Sequence, residues 1–446
     1  MQVSANRRGA DRFRVLASAY ACEPGLGSEP GIGWNWARQI ALHHELTLIT
    51  RRNNVEAIRR QAASEDLRME VIGHDLSDAA MRWKGGARRA MPYYYLWQRS
   101  LGKLVWTLDP GTRFDVVHHL TFASGWIPSG LAGAGLPFVF GPVGQHPRIP
   151  TGFQESRRWS GPVKESLRES VRRLLPKLDP DVLRTWHAAD VILSLGSTFG
   201  DRLPGEDRQR VRPMLACGID VDHLSEPVAR GANEPMRVLF CGRLVELKGV
   251  HLALRAFRMA ARETDMVMEI IGDGPERARL EALIQREGLQ DRVQLRGHLP
   301  HAEAIESMRN AHVFLFPSFE GAGMVIPEAM AAGATVLCLD FGGPGEMCAH
   351  GRGVTVPLEH TYPETASELA THLRLLERDD RTRLRVAEVG QEWARRNATW
   401  SAKGEALRGI YQAAVLHHQS RSQTGSPSAS PAGHQPRHQD SETEAA

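Results

Sequence analysis

Three side chains offer chemistry by type and spacing: Arg243, Lys248 and Glu320. Val238-Leu239-Phe240-Cys241 is a short apolar run of the kind a buried strand produces, and it ends in Gly242. Arg243 follows at once, and Lys248-Gly249 comes five residues later. A planar guanidinium fork and a mobile ammonium beside two glycines make a trap for a diphosphate. In an open α/β sheet such a trap belongs outside the carboxyl end of a strand, where ligands collect.

The second cluster is Pro317-Ser318-Phe319-Glu320-Gly321-Ala322-Gly323-Met324-Val325-Ile326-Pro327-Glu328, preceded by the strand-like Val313-Phe314-Leu315-Phe316. Gly321 and Gly323 let backbone amides come close to a ligand. Glu320 lies in this loop, where its carboxylate can accept hydrogen bonds from sugar hydroxyls. Pro327 suits the first position of a helix and Gly333 its stop, which puts Glu328 in a first turn where the dipole favours a carboxylate.

Together these segments resemble the retaining GT-B glycosyltransferases of family four. The resemblance rests on Gly242-Arg243-Leu244 with Lys248-Gly249, on Gly272-Asp273-Gly274-Pro275-Glu276, and on Pro317-Ser318 with Glu320-Gly321 followed by Glu328-Ala329-Met330-Ala331. Two departures stand out: Ala322 replaces a common Phe, and the interdomain Asn-Gly-Val-Asp run becomes Cys217-Gly218-Ile219-Asp220. The resemblance implies that Arg243 and Lys248 hold the diphosphate of a nucleotide-sugar donor as catalytic groups. It also implies that Glu320 touches the donor sugar and Glu328 the ribose, and that Gly242 and the backbone of Gly321, Ala322, Gly323, Met324 and Val325 complete the donor site. The leaving phosphate then helps accept the acceptor's proton, so no carboxylate need act as nucleophile. With two cations on the diphosphate, neither a cofactor nor a metal is expected.

Further motifs lie towards the N-terminus. Val15-Leu16-Ala17-Ser18-Ala19 reads as the first strand and leads to the glycine loop Gly25-Leu26-Gly27-Ser28-Glu29-Pro30-Gly31-Ile32-Gly33-Trp34. Pro30 breaks the dinucleotide-binding frame, which counts against a nicotinamide oxidoreductase. By resemblance, Gly31 and Gly33 face the donor phosphates, and the wording of the loop is similar to a bacterial exopolysaccharide subgroup. Val116-Val117-His118-His119-Leu120 reads as another strand. Successive strand side chains face opposite ways, so one of His118 and His119 is expected in the cleft as a catalytic histidine. Asp179-Pro180-Asp181 spells a metal-binding Asp-x-Asp, but it precedes a helix-like segment and reads as an N-cap or turn.

Composition bounds the remaining classes. Hydrophobic residues make up 42% and charged residues 24%, ordinary for a globular chain, and a net charge of +3 does not suggest a nucleic-acid binder. Five cysteines without a C-x-x-C pair fit reduced thiols and a cytoplasmic protein. Residues 79–108 hold no Asp or Glu, but carry Arg82, Lys84, Arg88, Arg89, Arg99 and Lys103 among Trp83, Tyr93, Tyr94, Tyr95, Trp97 and Trp106. Basic residues interleaved with aromatics suit an anionic membrane surface, here the inner face of the plasma membrane, or a polyprenyl-linked acceptor. A second basic stretch runs from Arg157 through Lys164 and Arg173 to Lys177.

The expected architecture is α/β: two Rossmann-like, doubly wound domains facing across a cleft. Residues 1–200 form the acceptor domain, 201–235 the linker and 236–395 the nucleotide-sugar domain, with strands beginning near Val238, Val267, Val293, Val313, Val336 and Val354. A crossover helix at 396–416 packs on the N-domain, and a disordered tail fills 417–446. The expected activity is transfer of a hexose from a nucleotide-diphosphate sugar to a glycan or lipid-linked hydroxyl, in surface or exopolysaccharide assembly. The alternative is a non-catalytic GT-B protein that binds sugar nucleotides or a membrane partner.

Overall fold

The computed structural model describes residues 12–86, 89–144, 153, 178–196, 199–200, 203, 205–231, 234–358 and 361–423. Two parallel sheets organise them. The first holds β1 (Arg14–Ala19), β2 (Glu45–Thr50), β3 (Met69–Gly73), β4 (Val116–Thr121), β5 (Phe138–Val143), β6 (Val191–Ser194) and β7 (Val211–Pro213), in the order β3-β2-β1-β4-β5-β6-β7. The second holds β8 (Met236–Cys241), β9 (Met266–Ile271), β10 (Val293–Gly297), β11 (Val313–Phe316), β12 (Thr335–Leu339) and β13 (Val354–Val356), in the order β10-β9-β8-β11-β12-β13. The strands of the second sheet start within two residues of their expected positions.

Both orders are doubly wound, and each reverses direction at a switch point, β1/β4 in one sheet and β8/β11 in the other. Helices cover both faces, so central strands read as unbroken apolar runs; Val238, Leu239 and Phe240 are at most 1% exposed. One core fills the C-terminal domain, and two cores lie on opposite faces of the N-terminal sheet. The N-terminal sheet reaches into the expected linker, because β7 pairs with β6 through Ile192 and Val211. Strand β7 is three residues long and mostly exposed, so it carries none of the apolar signal that marks a buried strand.

The last helix, Trp400–Gln423, crosses back onto the helix Ser28–His43 of the first domain. Its bounds correct the expected end at 416 and the tail expected from 417. The extension is held by Asp190, whose buried carboxylate takes His417 Nδ1 at 2.8 Å and His418 Nδ1 at 3.1 Å. Earlier along the helix, Trp400 meets Trp36 edge to face with ring centroids 6.0 Å apart, and Lys403 donates to Leu215 O at 2.9 Å. Burial of Lys403 pushes its ammonium down to about 8. The tail from residue 424 onward and the basic stretch between Arg157 and Lys177 lie outside the described residues.

Tyr411 of the crossover helix fills its contact with strand β4, donating its hydroxyl to His118 Nδ1 at 2.9 Å while His118 Nε2 donates to Gly141 O at 2.9 Å. Tyr411→Phe strands a buried imidazole nitrogen. Chemical denaturation is expected to show a loss of about 1–3 kcal/mol, the cost of an unpaired buried polar group; unchanged stability would remove this contact from the forces holding the helix.

Candidate functional site

The loop after β8 and the loop after β11 leave the two strands of the C-terminal switch point side by side. Gly242 and exposed Arg243 open the first loop. A 3-10 turn, Glu246–Lys248, then brings Lys248 to the start of the helix Val250–Ala260. The turn ends at Gly249, whose φ is +71°, and a Cβ there would sit 1.9 Å from Pro317 O. Only glycine permits that approach, and it lets the two loops zip together. Phe319 N donates to Leu247 O at 2.9 Å, and Ser318 Oγ donates to the same carbonyl at 3.4 Å.

Zipping the loops joins the charges. Lys248 Nζ lies 2.6 Å from Glu320 Oε2, with both side chains about four-fifths buried. The ammonium also stands 5.4 Å above the Phe316 ring. Ser318 Oγ lies 3.2 Å from Glu320 Oε2 and accepts from Glu320 N at 3.2 Å, which holds the carboxylate to its own loop. The Gly272-to-Glu276 motif buttresses the first loop from behind: Leu244 N donates to Asp273 O at 2.9 Å, and Glu276 N to Leu244 O at 3.1 Å. Glu276 itself is engaged by His251 at 2.8 Å and Arg279 at 2.9 Å.

Gly321, Ala322 and Gly323 continue the second loop, which packs on the next one through Gly343 N donating to Gly321 O at 2.9 Å. Met324 is exposed, and Val325 opens the helix Val325–Ala331. Pro327 is therefore the third helical residue, two later than expected, while Glu328 keeps its place in the first turn. Glu328 Oε1 takes His301 Nε2 at 3.1 Å.

The N-terminal candidates are placed differently. His118 and His119 are at most 1% exposed, and neither lies free in a cleft. His118 points into the layer of Tyr411 and Trp36. His119 points into the opposite layer, with Nε2 3.1 Å from the Tyr94 hydroxyl and Nδ1 3.1 Å from Ser129 Oγ. Burial pushes His118 down to about 4 and His119 to about 3, so both rings are neutral near pH 7. The expected cleft histidine is thereby corrected: helices cover both faces of this sheet, so alternation sends both rings into packed layers.

Gly31 and Gly33 are buried within the helix Ser28–His43, where a Cβ would lie 2.0 Å from Leu26 O and from Ala21 O respectively. The loop shows Gly25, Leu26 and Gly27 to solvent instead. Glu29, not singled out above, is partly buried in the same helix's first turn, accepts a hydrogen bond from the Ala123 backbone, and is pushed up by burial to about 7. Only its place behind a glycine loop could have flagged it. Tyr94 shapes the neighbouring backbone, accepting from Phe122 N at 2.9 Å and donating to Thr121 O.

Asp179 caps the helix Pro180–Ala188 by accepting from Asp181 N at 2.9 Å, while Asp181 pairs with Arg99 and Arg184, each at 3.0 Å. The basic and aromatic segment divides between the helices Asp78–Lys84 and Ala90–Thr107. Tyr93, Tyr94 and Trp97 are core residues, while Met81, Trp83, Met91, Leu96 and Trp106 are exposed beside Arg82, Arg89 and Lys103. Arg88 lies outside the described residues. Among the described residues no helix is long and apolar enough to cross a membrane.

Part of the chain matches a known family. Residues 226–393 match the family described as Glycosyl transferases group 1, a span that includes both switch-point loops. The chain is 29% identical over 217 residues to the putative colanic acid biosynthesis glycosyltransferase WcaL of Escherichia coli, covering 46% of this chain and 53% of that one. The chain thus spans about half the length of this curated relative. Among solved structures, sucrose-phosphate synthase from Thermosynechococcus elongatus superposes with a TM-score of 0.60 at 18% identity, covering 89% of this chain and 98% of the other. Anabaena HepE in complex with UDP superposes with a TM-score of 0.54 at 17% identity, covering 92% and 99%. These likenesses establish the GT-B fold.

The zipped loops generate a direct test. Gly249→Val drives a side chain into Pro317 O and parts Lys248 from Glu320. Calorimetry with pyrophosphate and nucleoside diphosphates is expected to show binding to the native protein and none to the variant; equal binding would separate the loop contact from the anion site.

Proposed function

From the match of residues 226–393 to the family described as Glycosyl transferases group 1, we propose that this chain moves a sugar from a nucleotide-diphosphate sugar to a hydroxyl of a glycan or lipid-linked acceptor, with retention at the anomeric carbon. The observation that carries the proposal is the Lys248–Glu320 pair at the switch point of the second sheet. A cation for phosphate and an acceptor for sugar hydroxyls stand within one hydrogen bond of each other, on loops that cannot slide apart. WcaL is named for colanic acid biosynthesis, which supports a role in bacterial surface or exopolysaccharide assembly.

In the proposed reaction the donor diphosphate lies over Gly242, with Arg243 and Lys248 on its oxygens. Lys248 exchanges Glu320 for phosphate, and the freed carboxylate accepts from the sugar. Glu328 takes the ribose, and amides of the Gly323-to-Val325 turn add donors to the phosphate. As the glycosidic bond breaks, charge grows on the diphosphate and the fixed cations stabilise it, so no metal enters the step. A leaving phosphate oxygen takes the acceptor's proton on the face where the new bond forms. HepE, crystallised with UDP, supports a nucleotide in the same fold but leaves the base of this donor to experiment.

The acceptor side also favours a membrane. Trp83, Trp106, Leu96 and Met91, with Arg82, Arg89 and Lys103, join apolar anchors to positive charge across the helices Asp78–Lys84 and Ala90–Thr107. The proposed protein is cytoplasmic and reaches its lipid-linked acceptor from the inner face of the plasma membrane.

Two measurements test these readings. A panel of nucleotide sugars is screened for transfer and donor hydrolysis, with EDTA present. Transfer is expected to survive EDTA, and Lys248→Ala is expected to lower kcat by about 10²–10³, the effect of losing one group that stabilises transition-state charge. Wild-type turnover in this variant would remove Lys248 from the reaction. For the membrane, vesicles of phosphatidylglycerol are expected to sediment the protein at low salt and release it at high salt. Trp83→Ala with Trp106→Ala is expected to abolish this binding; unchanged sedimentation would rule the segment out as the anchor.

A further inference from the structure

His301 is the first residue of the helix His301–Asn310, and it reaches across to the first turn of the helix Val325–Ala331. Its Nε2 donates to Glu328 Oε1 at 3.1 Å. Among the described residues Glu328 Oε2 has no hydrogen-bond partner, and the Glu328 side chain is 25% exposed. The His301 side chain is 63% exposed, and its ring lies 5.4 Å from that of His223 at 56°; His223 belongs to the turn Val221–His223 that joins the two domains. The Glu328 hydrogen bond raises the basicity of His301, and the charges of Glu328 and nearby Asp220 act in the same direction, against desolvation. A charge-assisted hydrogen bond is stronger and more directional than a neutral one.

A carboxylate that must receive two neighbouring hydroxyls has a geometric problem. Each oxygen offers two lone pairs, but a glutamate side chain in a first turn can rotate, and only some orientations present both oxygens to one diol. A donor bound to one oxygen from outside the pocket removes that freedom. Partners of this kind orient metal-binding histidines and carboxylates in the same manner. His301 fits the role: it reaches Glu328 from a different helix, and its ring lies against that of His223 at the domain junction.

We propose that His301 is a positioning residue of the nucleoside pocket, which orients the Glu328 carboxylate so that both oxygens meet the vicinal hydroxyls of a ribose. The inference rests on the ribose role of Glu328 in the function proposed above. It assigns His301 to recognition of the ribonucleotide and not to bond breaking. It also links the pocket to the domain junction through the ring contact of His301 with His223.

The test is calorimetric titration of UDP, GDP and ADP, each beside its 2′-deoxy counterpart, with native protein and three variants. Loss of one charge-assisted hydrogen bond that acts through Glu328 is expected to weaken ribonucleotide binding to His301→Ala by about tenfold. The 2′-deoxy nucleotide is expected to lose far less. His301→Gln, whose amide can still donate, is expected to recover most of the affinity and also serves if the alanine variant folds poorly. Native affinity in His301→Ala, or equal losses for ribo- and deoxyribonucleotide, overturns the inference. Glu328→Ala separates the two levels: if it leaves ribonucleotide affinity intact, the ribose role of Glu328 falls and the inference falls with it. If it weakens binding while His301→Ala does not, only His301 is excluded. Failure of all three nucleotides to bind the native protein overturns the donor pocket itself.

Discussion

The ammonium of Lys248 against the carboxylate of Glu320 is the interaction on which the C-terminal domain's ligand face depends. Its partners come from loops that follow different strands, and it exists only because those strands are neighbours at a switch point. Burial to about four-fifths makes either charge costly without the other, since an unpaired buried ion loses its hydration without return. The two charges therefore neutralise each other. In the proposed reaction an incoming diphosphate displaces one anion with another of higher charge and releases a carboxylate for the sugar. Glu328 and His301 form a second such contact between two helices, at the end proposed for the nucleoside.

That face works only if the opposite domain is held in register with it, and the crossover helix supplies the hold. Trp400 leans on Trp36, Lys403 caps Leu215, Tyr411 reaches His118, and Asp190 gathers His417 and His418. These contacts lie along one helix and fasten it to the first domain over most of its length. Elsewhere Ile219 pairs with Thr399, Cys217 Sγ lies 3.9 Å from Met324 O, and Phe153 is buried against the rings of Phe319 and Tyr362 in the C-terminal core.

Much of this was legible in the residues. Val238-Leu239-Phe240-Cys241-Gly242 announced a buried parallel strand with a tight exit, and the loop carrying Glu320 stood between a strand and a helix as its glycines and proline suggest. Other features were illegible for physical reasons. The pair His118-His119 could not reveal its surroundings, because alternation says that the rings diverge and not which face is covered; here both are. Strand β7 is too short and polar to differ from a linker. The segment around Tyr93 and Trp97 mixes core and surface because a helix turns its aromatics to both sides. Gly31 and Gly33 gave the composition of a phosphate loop while serving close packing against Leu26 and Ala21. The pair formed by His301 and Glu328, 27 residues apart on two helices, has no periodic signature at all.

The most direct measurement is a structure of the protein with a nucleoside diphosphate bound. The account predicts the diphosphate at the carboxyl ends of β8 and β11, Lys248 Nζ withdrawn from Glu320 and on a phosphate oxygen with the Arg243 guanidinium beside it, and Glu320 turned towards the vacant sugar position. A nucleotide seated elsewhere, with the Lys248–Glu320 pair intact, would contradict it.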